Sequence, residues 1–252
     1  MDALSQPEVE YIIEGVKANV RTDGRERLQY REFRCEADVI DQANGSVRLW
    51  LGATEVLVGI KCELETPSAQ SPDCGRFEVL VRKAGTVTQQ SVEAERIVHV
   101  ALTNAAPEML RRLCVAPGRL AWVVYVDVVV VEDDGNVIDA VALAVRAALL
   151  HTQIPVVTVV SGDAETVQIE LDEENLQFIR FTGDELPLTV TLAMLEGACV
   201  ADTTRDEELC GGCRLTTAVT ADGRVCGLQK GGQGGFLVGE MYDMVVVWTA
   251  AD

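Results

Sequence analysis

The densest set of groups able to do acid–base or metal chemistry is Asp202-Thr203-Thr204-Arg205-Asp206-Glu207-Glu208. Carboxylates this close can hold a divalent cation or share a proton. The same letters also spell an ordinary helix start, with Asp202 or Thr203 as cap and acids in the first turn. A second candidate is sulfur: Cys210-x-x-Cys213, with Cys199 and Cys226 able to complete four ligands. Zinc takes four thiolates in a tetrahedron, and two close pairs normally deliver them. Here only one pair is close, so ordinary thiols are expected. Lys230, followed by Gly231-Gly232-Gln233-Gly234-Gly235, suggests a phosphate loop. The nucleotide P-loop places its Lys after the glycines, so a flexible strand-to-helix connection is expected instead. His99 and His151 are the only histidines. No Ser-His-Asp or Cys-His set can be placed with them, and His99 is expected mid-helix in a structural or exposed role.

These groups need elements to position them. Val9, Ile12, Ile13 and Val16 recur at helical spacing after Pro7, predicting a helix over residues 7–20. Between Phe33 and Glu63, Val47-Leu49-Leu51 and Val56-Val58-Ile60 flank Gly52-Ala53-Thr54, which predicts two antiparallel strands. Residues 64–76, rich in Pro and Ser, read as a loop, and Phe77 to Val81 as a short strand. Ser91 to Leu102 reads as an amphipathic helix. Leu120 to Val131 carries five valines in its last six positions, a density that predicts a strand buried on both faces. After the turn at Asp133-Asp134-Gly135-Asn136, an alanine-rich helix is expected over Val137 to Leu150. Beyond Ile154-Pro155 the composition changes. Residues 161–186 are acidic and are expected to form exposed strands and turns, and Pro187 to Leu195 a strand. Leu215 to Val219 and Val225 to Leu228 enclose Asp222-Gly223, a hairpin signal. A last helix is expected from Phe236 to about Trp248. The class is α+β, in two units, 1–155 and 156–252.

Composition narrows the function. The 252 residues hold 21 Lys and Arg against 40 Asp and Glu, a net charge of −19, with 48% hydrophobic residues. The chain can bury a core, and wholesale disorder is excluded. The acidic balance repels phosphate backbones, so strong nucleic-acid binding by the isolated chain is not expected. A local basic strip, or RNA work inside a complex whose other members bring positive charge, stays open. No apolar run approaches the ~20 residues of a membrane span, and the acidic opening MDALSQPEVE lacks a basic-then-apolar signal pattern. A soluble intracellular protein is expected. The eight cysteines are scattered and are expected as reduced, mostly buried thiols.

Several stretches, in order, resemble the RNase PH family. They are Asp23-Gly24-Arg25 with Tyr30-Arg31, Gly45-Ser46-Val47, Gly52 through Lys61, Trp122 through Asp127, Asp134 through Ala140, Ile154-Pro155, and Asp202 through Glu208. The likeness runs from about Glu10 to Met244. Within the family, Gly59-Ile60-Lys61, Glu65-Thr66-Pro67 and the Trp122–Asp127 run resemble a ring subunit of the eukaryotic RNA exosome. The resemblance implies two βαβ-type layers and six such subunits in a ring around an RNA channel. It implies partners: other RNase PH-like exosome subunits, cap subunits with RNA-binding domains, and RNA in the assembled channel. It implies residence in the nucleus and nucleolus and also the cytoplasm. No membrane, metal or cofactor is implied.

Active family members degrade RNA from the 3′ end with inorganic phosphate. That chemistry holds phosphate at a helix start and on an Arg, and uses a carboxylate as acid or metal ligand. Where active members carry Gly-Thr/Ser-Arg, this chain has Gly135-Asn136-Val137. Of the family's acids Asp202 and Glu208 remain, but Arg214 stands where a second aspartate is expected. An arginine cannot act as a general acid near neutral pH and repels cations. The resemblance therefore implies an inactive subunit with no catalytic residues of its own. One RNA contact is implied, through Arg96. Archaeal relatives use two arginines one helical turn apart, and Val100 takes the second place here; Arg96 is alternatively expected to pair with Glu93 or with the acidic surface.

Overall fold

The computed structural model describes residues 4–83, 86–161, 168–171 and 176–249. The chain opens with α1 (Gln6–Lys17), where Glu8 closes a capping box on Ser5 and Ile12, Ile13 and Val16 face inward. Three antiparallel strands follow, β1 (Phe33–Ala37), β2 (Gly45–Leu51) and β3 (Thr54–Glu65). Two strands were expected here. β1 escapes the periodicity because it is an exposed edge strand with no buried face to alternate with. Next come β4 (Arg76–Lys83), α2 (Gln89–Ala105), a short α3 (Pro107–Arg112), β5 (Cys114–Ala116), β6 (Leu120–Glu132) and α4 (Val137–His151).

These strands form one sheet in the order β1-β2-β3-β6-β4, with β5 beside the start of β6. β4 runs parallel to β6, and the other pairs are antiparallel. The β4–β6 crossover passes through α2, which supplies the length a parallel connection needs.

Beyond α4 lie β7 (Ile154–Pro155), β8 (Val157–Ser161), β9 (Gln168–Leu171) and β10 (Phe178–Ile179), paired as β8–β9 and β7–β10. Within the acidic 161–186 stretch, residues 162–167 and 172–175 lie outside the described residues. A second, antiparallel sheet then forms from β11 (Leu188–Leu195), β12 (Ala198–Ala201), β13 (Cys213–Val219) and β14 (Val225–Gly232), in the order β12-β11-β13-β14. A short α5 (Arg205–Leu209) sits between β12 and β13, and α6 (Val238–Thr249) ends the described chain. Lys230-Gly231-Gly232 proves to be strand and not connection. Gly231 faces Arg214, and a Cβ there would lie 2.7 Å from the Arg214 Nε, so the bare glycine backbone makes room for the guanidinium.

α2 and α4 lie between the two sheets. α4 packs on β2, β3 and β6 from one side and β11 from the other, and α2 bridges β4 to β13 and β14. Inward residues Val56, Val58 and Ile60 of β3 and Val124, Val126 and Val128 of β6 are essentially fully buried against Ile97, Val98, Val141, Val145 and Leu149 of the helices. The small Ala140, Ala144 and Ala148 let α4 sit close to the strands. The expectation that β6 is buried on both faces holds only at its start. Val129 and Val131 are 40% and 46% exposed, because both helices lie on the other side of the sheet.

Candidate functional site

The two halves meet at the turn that starts α4. Gly135 has φ +88°, and a Cβ there would lie 2.5 Å from the Thr203 carbonyl oxygen and the Thr204 carbonyl carbon. Only glycine allows this approach of one backbone to the other. Arg205 N–H then donates to the Asp134 carbonyl at 3.1 Å. Asn136 follows with φ 51°, a left-handed conformation that asparagine tolerates better than most residues.

Asn136 joins three carboxylates. Its backbone N–H donates to Glu208 Oε1 at 2.9 Å, and its Nδ2 donates to Asp202 Oδ1 at 2.9 Å and to Asp139 Oδ2 at 3.1 Å. A helix start is a natural anion seat, and the protein's own Glu208 occupies this one. Gln90 of α2 holds the other Glu208 oxygen at 2.8 Å. Burial raises the Glu208 pKa, while the Asn136 N–H and the nearby Arg214 charge pull it down less strongly. Val137, the first helical residue, is buried in the main core and presents no side-chain donor to this seat.

Asp202 is fully buried and saturated. Oδ2 accepts from Arg25 Nη1 at 2.8 Å, Arg31 N at 2.8 Å and Arg31 Nε at 2.9 Å, and Oδ1 from Arg31 Nη2 at 2.8 Å as well as from Asn136. A carboxylate offers about four lone-pair positions, so these five donors leave none for a metal ion or a leaving group. Burial alone would raise its pKa, but the Arg31 hydrogen bonds and charge, with Asn136, outweigh burial and hold it below the usual range. Beside it, Arg21 and Glu207 form a two-pronged ion pair with almost no exposure, Nε to Oε1 at 2.8 Å. The α5 cap is Thr204, whose Oγ1 accepts from Glu207 N–H, and not Asp202 or Thr203 as expected. Asp202 is drawn away from capping by the arginines.

Arg214 lies on β13, and its guanidinium pairs with Glu93 of α2. Arg214 itself borders a cleft of about 360 Å³ lined also by Thr203, Glu208, Gly211, Gly212 and Gln233. So Gly135, Asn136, Asp202, Glu208 and Arg214 do come together, and Val137 adjoins them only through its backbone. Arg96 is exposed on α2 and has no hydrogen bond or ion pair among the described residues. The expected Arg96–Glu93 pair is absent because Glu93 is taken by Arg214 and Gln89. Among the described residues no His, Cys, Asp or Glu group has metal-holding geometry, and all eight cysteines are free thiols; only Cys213 is buried, where most were expected to be, and Cys35 is exposed on the edge strand β1.

Sequence reading missed the cations of this site. Arg21, Arg25 and Arg31 converge on Asp202 and Glu207, and Asp139 is wholly buried on hydroxyl and amide donors. The signal was present: four of the chain's few basic residues, Arg21, Arg25, Arg27 and Arg31, fall within one short loop. Such crowding in an acidic chain points to internal partners.

Fold and site together define a class. Residues 29–155 match the 3′ exoribonuclease family, domain 1 (RNase PH), and residues 185–246 match domain 2; the chain belongs to this family. Its similarity extends further to one kind of member. It is 30% identical to the putative exosome complex exonuclease RRP42 of Dictyostelium discoideum, over 92% of this chain and 89% of that one. It is 32% identical to the exosome complex component Rrp42 of Methanopyrus kandleri, over 94% and 89%. Among solved structures, a subunit of the Archaeoglobus fulgidus exosome with RNA bound to the active site superposes with a TM-score of 0.79 at 26% identity, covering 96% of this chain and 94% of that one.

Proposed function

We propose that this chain is a non-catalytic structural subunit of the RNA exosome core ring. It supports 3′-to-5′ RNA processing and degradation by building the ring and helping to line the RNA channel. The observation that carries the absence of catalysis is the full coordination of Asp202 by Arg25, Arg31 and Asn136. The Glu93–Arg214 pair beside the Glu208-filled helix start supports it. An attacking phosphate would meet Glu208 where it needs N–H donors, and the one arginine lining the cleft beside that seat among the described residues, Arg214, is held by Glu93. Its partners are other RNase PH-like subunits, cap subunits with RNA-binding domains, and RNA threading the ring, with Arg96 offering a free cation to the strand. The nucleus, nucleolus and cytoplasm are its places of work.

The test is direct. Purified chain, inorganic phosphate and a short RNA with a single-stranded 3′ end are incubated, and nucleoside diphosphates are measured by chromatography. Release at the level of the no-protein control is expected. Phosphate-dependent release that disappears in Asp202→Ala would reinstate the alternative, an active phosphorolytic exoribonuclease. Recovery of the chain in cells without RNase PH-like partners would favour a binding module that reuses the fold outside the exosome.

A further inference from the structure

One pair of cysteines is conspicuous in the sequence, and a different pair is brought together only by the fold. Cys210 and Cys213 are near neighbours, but their thiols turn to separate carbonyls, Cys210 Sγ to Asp206 O at 3.2 Å and Cys213 Sγ to Gly235 O at 3.5 Å. Cys213 is also buried. Cys74 stands before β4 and Cys114 opens β5, with β4, α2 and α3 between them in the chain. Both are half-buried, so a small reagent can reach them.

The backbone sets these two side by side. The loop ahead of β4 runs along the segment from α3 to β6 and is pinned to it at both ends. Gly118 N–H donates to the Pro72 carbonyl at 2.7 Å, and Gly75 N–H to the Leu110 carbonyl at 2.9 Å. Gly75 sits so close to Leu113 that a Cβ on it would lie 2.5 Å from Leu113 Cβ. Cys74 and Cys114 are the next residues inward from that contact, one on each segment. The Cys114 thiol lies 4.0 Å from the same Pro72 carbonyl oxygen. The Cys74 thiol lies 3.6 Å from the carboxylate of the intervening Asp73. Two segments held this closely supply the short separation that a disulfide requires. Burial raises the pKa of both thiols and the Asp73 charge adds to the rise, while the Arg111 charge offsets part of it at Cys74. Cys74 is the readier of the two to ionise, and exchange at either quickens as pH rises.

We propose that Cys74 and Cys114 form a disulfide by exchange with a small-molecule disulfide, a redox-sensitive clip between the loop and β5. The Cys74 thiolate attacks one sulfur of the reagent and breaks its S–S bond. A mixed disulfide forms on Cys74, and one thiol leaves. The Cys114 thiolate then attacks the Cys74 sulfur, forming the protein S–S bond and expelling the second thiol. Two protein thiols are oxidised, one reagent disulfide is reduced to two thiols, and the two protons pass to those thiols. The second step is intramolecular, which favours it over exchange with reagent in solution. Once formed, the bridge closes β4, α2 and α3 into one covalent loop and constrains the unfolded chain. It also fixes the wall that Ser68, Ser71 and Cys74 build against His99 and Thr103 of α2, around a cleft of about 280 Å³. In a reducing compartment the pair stays as the two thiols of this structure. The proposal is independent of the ring reading.

The experiment incubates the reduced full chain with oxidised glutathione, blocks remaining thiols by alkylation and maps the peptides by mass spectrometry without reduction. A Cys74–Cys114 linked peptide is expected, exceeding the Cys74 mixed disulfide by about tenfold or more. In Cys114→Ser the glutathione should instead stay on Cys74. The bridged chain should melt at a higher temperature than the reduced one, and dithiothreitol should reverse the shift. Cys114→Ala serves as a second variant should the serine variant fail to fold, which the same melting curves report. A lasting mixed disulfide on Cys74 of the wild-type chain, with Cys114 unmodified, overturns the proposal. So does a chain that keeps all its thiols, or one that bridges another pair in preference. A bridged chain that melts below the reduced one overturns the clip as a fit to this fold.

Discussion

Asp202 and Asp139 lie on either side of Asn136, share its Nδ2, and have no exposure, yet they are solvated in opposite ways. Asp202 sits among guanidinium groups, which keep it ionised. Asp139 has no ion pair among the described residues. Its oxygens accept from Tyr30 OH at 2.7 Å, Thr191 N at 3.0 Å, Thr191 Oγ1 at 2.7 Å and Asn136. Burial pushes its pKa up to about 6 despite those donors, the largest of them from Thr191. Burial alone therefore does not set the behaviour of a carboxylate; the charge of the donors decides it. One carboxylate locks the arginine-rich loop to the second sheet, and the other ties α4 to β11 through neutral groups.

The largest effect should come from removing the arginine-bound acid. Asp202→Ala strips the buried Arg25 and Arg31 of the carboxylate they share, leaving them only the more exposed Asp23 and Asp134, and a loss of about 3 kcal/mol or more in urea unfolding is expected. A loss below about 1 kcal/mol would mean that the arginines find water or other acceptors, and would erase the contrast between the two sites.

Next in size is the pH response of Asp139. Its folded pKa stands above the unfolded value of 3.8, so between about pH 4 and 6 the folded state binds more protons than the unfolded one. Stability from this group therefore rises as pH falls through 6, by on the order of 3 kcal/mol in total. Asp202 runs the other way, because its depressed pKa makes stability fall once pH drops below the ordinary carboxylate range. Glu208, also raised, acts in the same direction as Asp139. Subtracting the curve of Asp139→Asn from that of the wild type isolates the Asp139 component. A difference that does not change between pH 7 and 4 would show that Asp139 titrates normally.

Arg214→Ala should cost about 1 kcal/mol, because Glu93 is left half-buried without its cation. The same change removes a positive charge from near Glu208 and should raise the Glu208 pKa further, which carboxyl NMR titration would detect. Smallest of all is Arg96→Ala. Stability should stay within about 0.5 kcal/mol of the wild type, while cross-linking of RNA to this chain in the assembled ring falls. Unchanged cross-linking would separate Arg96 from the RNA path.

The comparison also shows what could be read from letters alone. Segments with a buried face were legible, since period determines burial: β2, β3, β6, α2 and α4 fall where hydrophobic spacing places them. β1 was not, because every inward cue is missing from an exposed edge, and neither were α3 and β5, which are too short for a period to appear. In the site, Asp202 and Glu208 were found as acids that chemistry would need, and Arg214 through the resemblance, as the residue standing where an acid is expected. Their partners were not, because the Arg31–Asp202 and Glu93–Arg214 pairs join residues more than a hundred positions apart. Only the sheet registers and the helix between them bring such residues together.

The crowding at Gly135 bears on how such a chain is read by descent. Selection for a folded protein alone is enough to hold this glycine, since any larger residue would drive the two backbones apart. The closure of the two halves alone is thus reason enough for a glycine in the Asp-Gly-Asn string. A genome scan for this signature would therefore read out a packing requirement first.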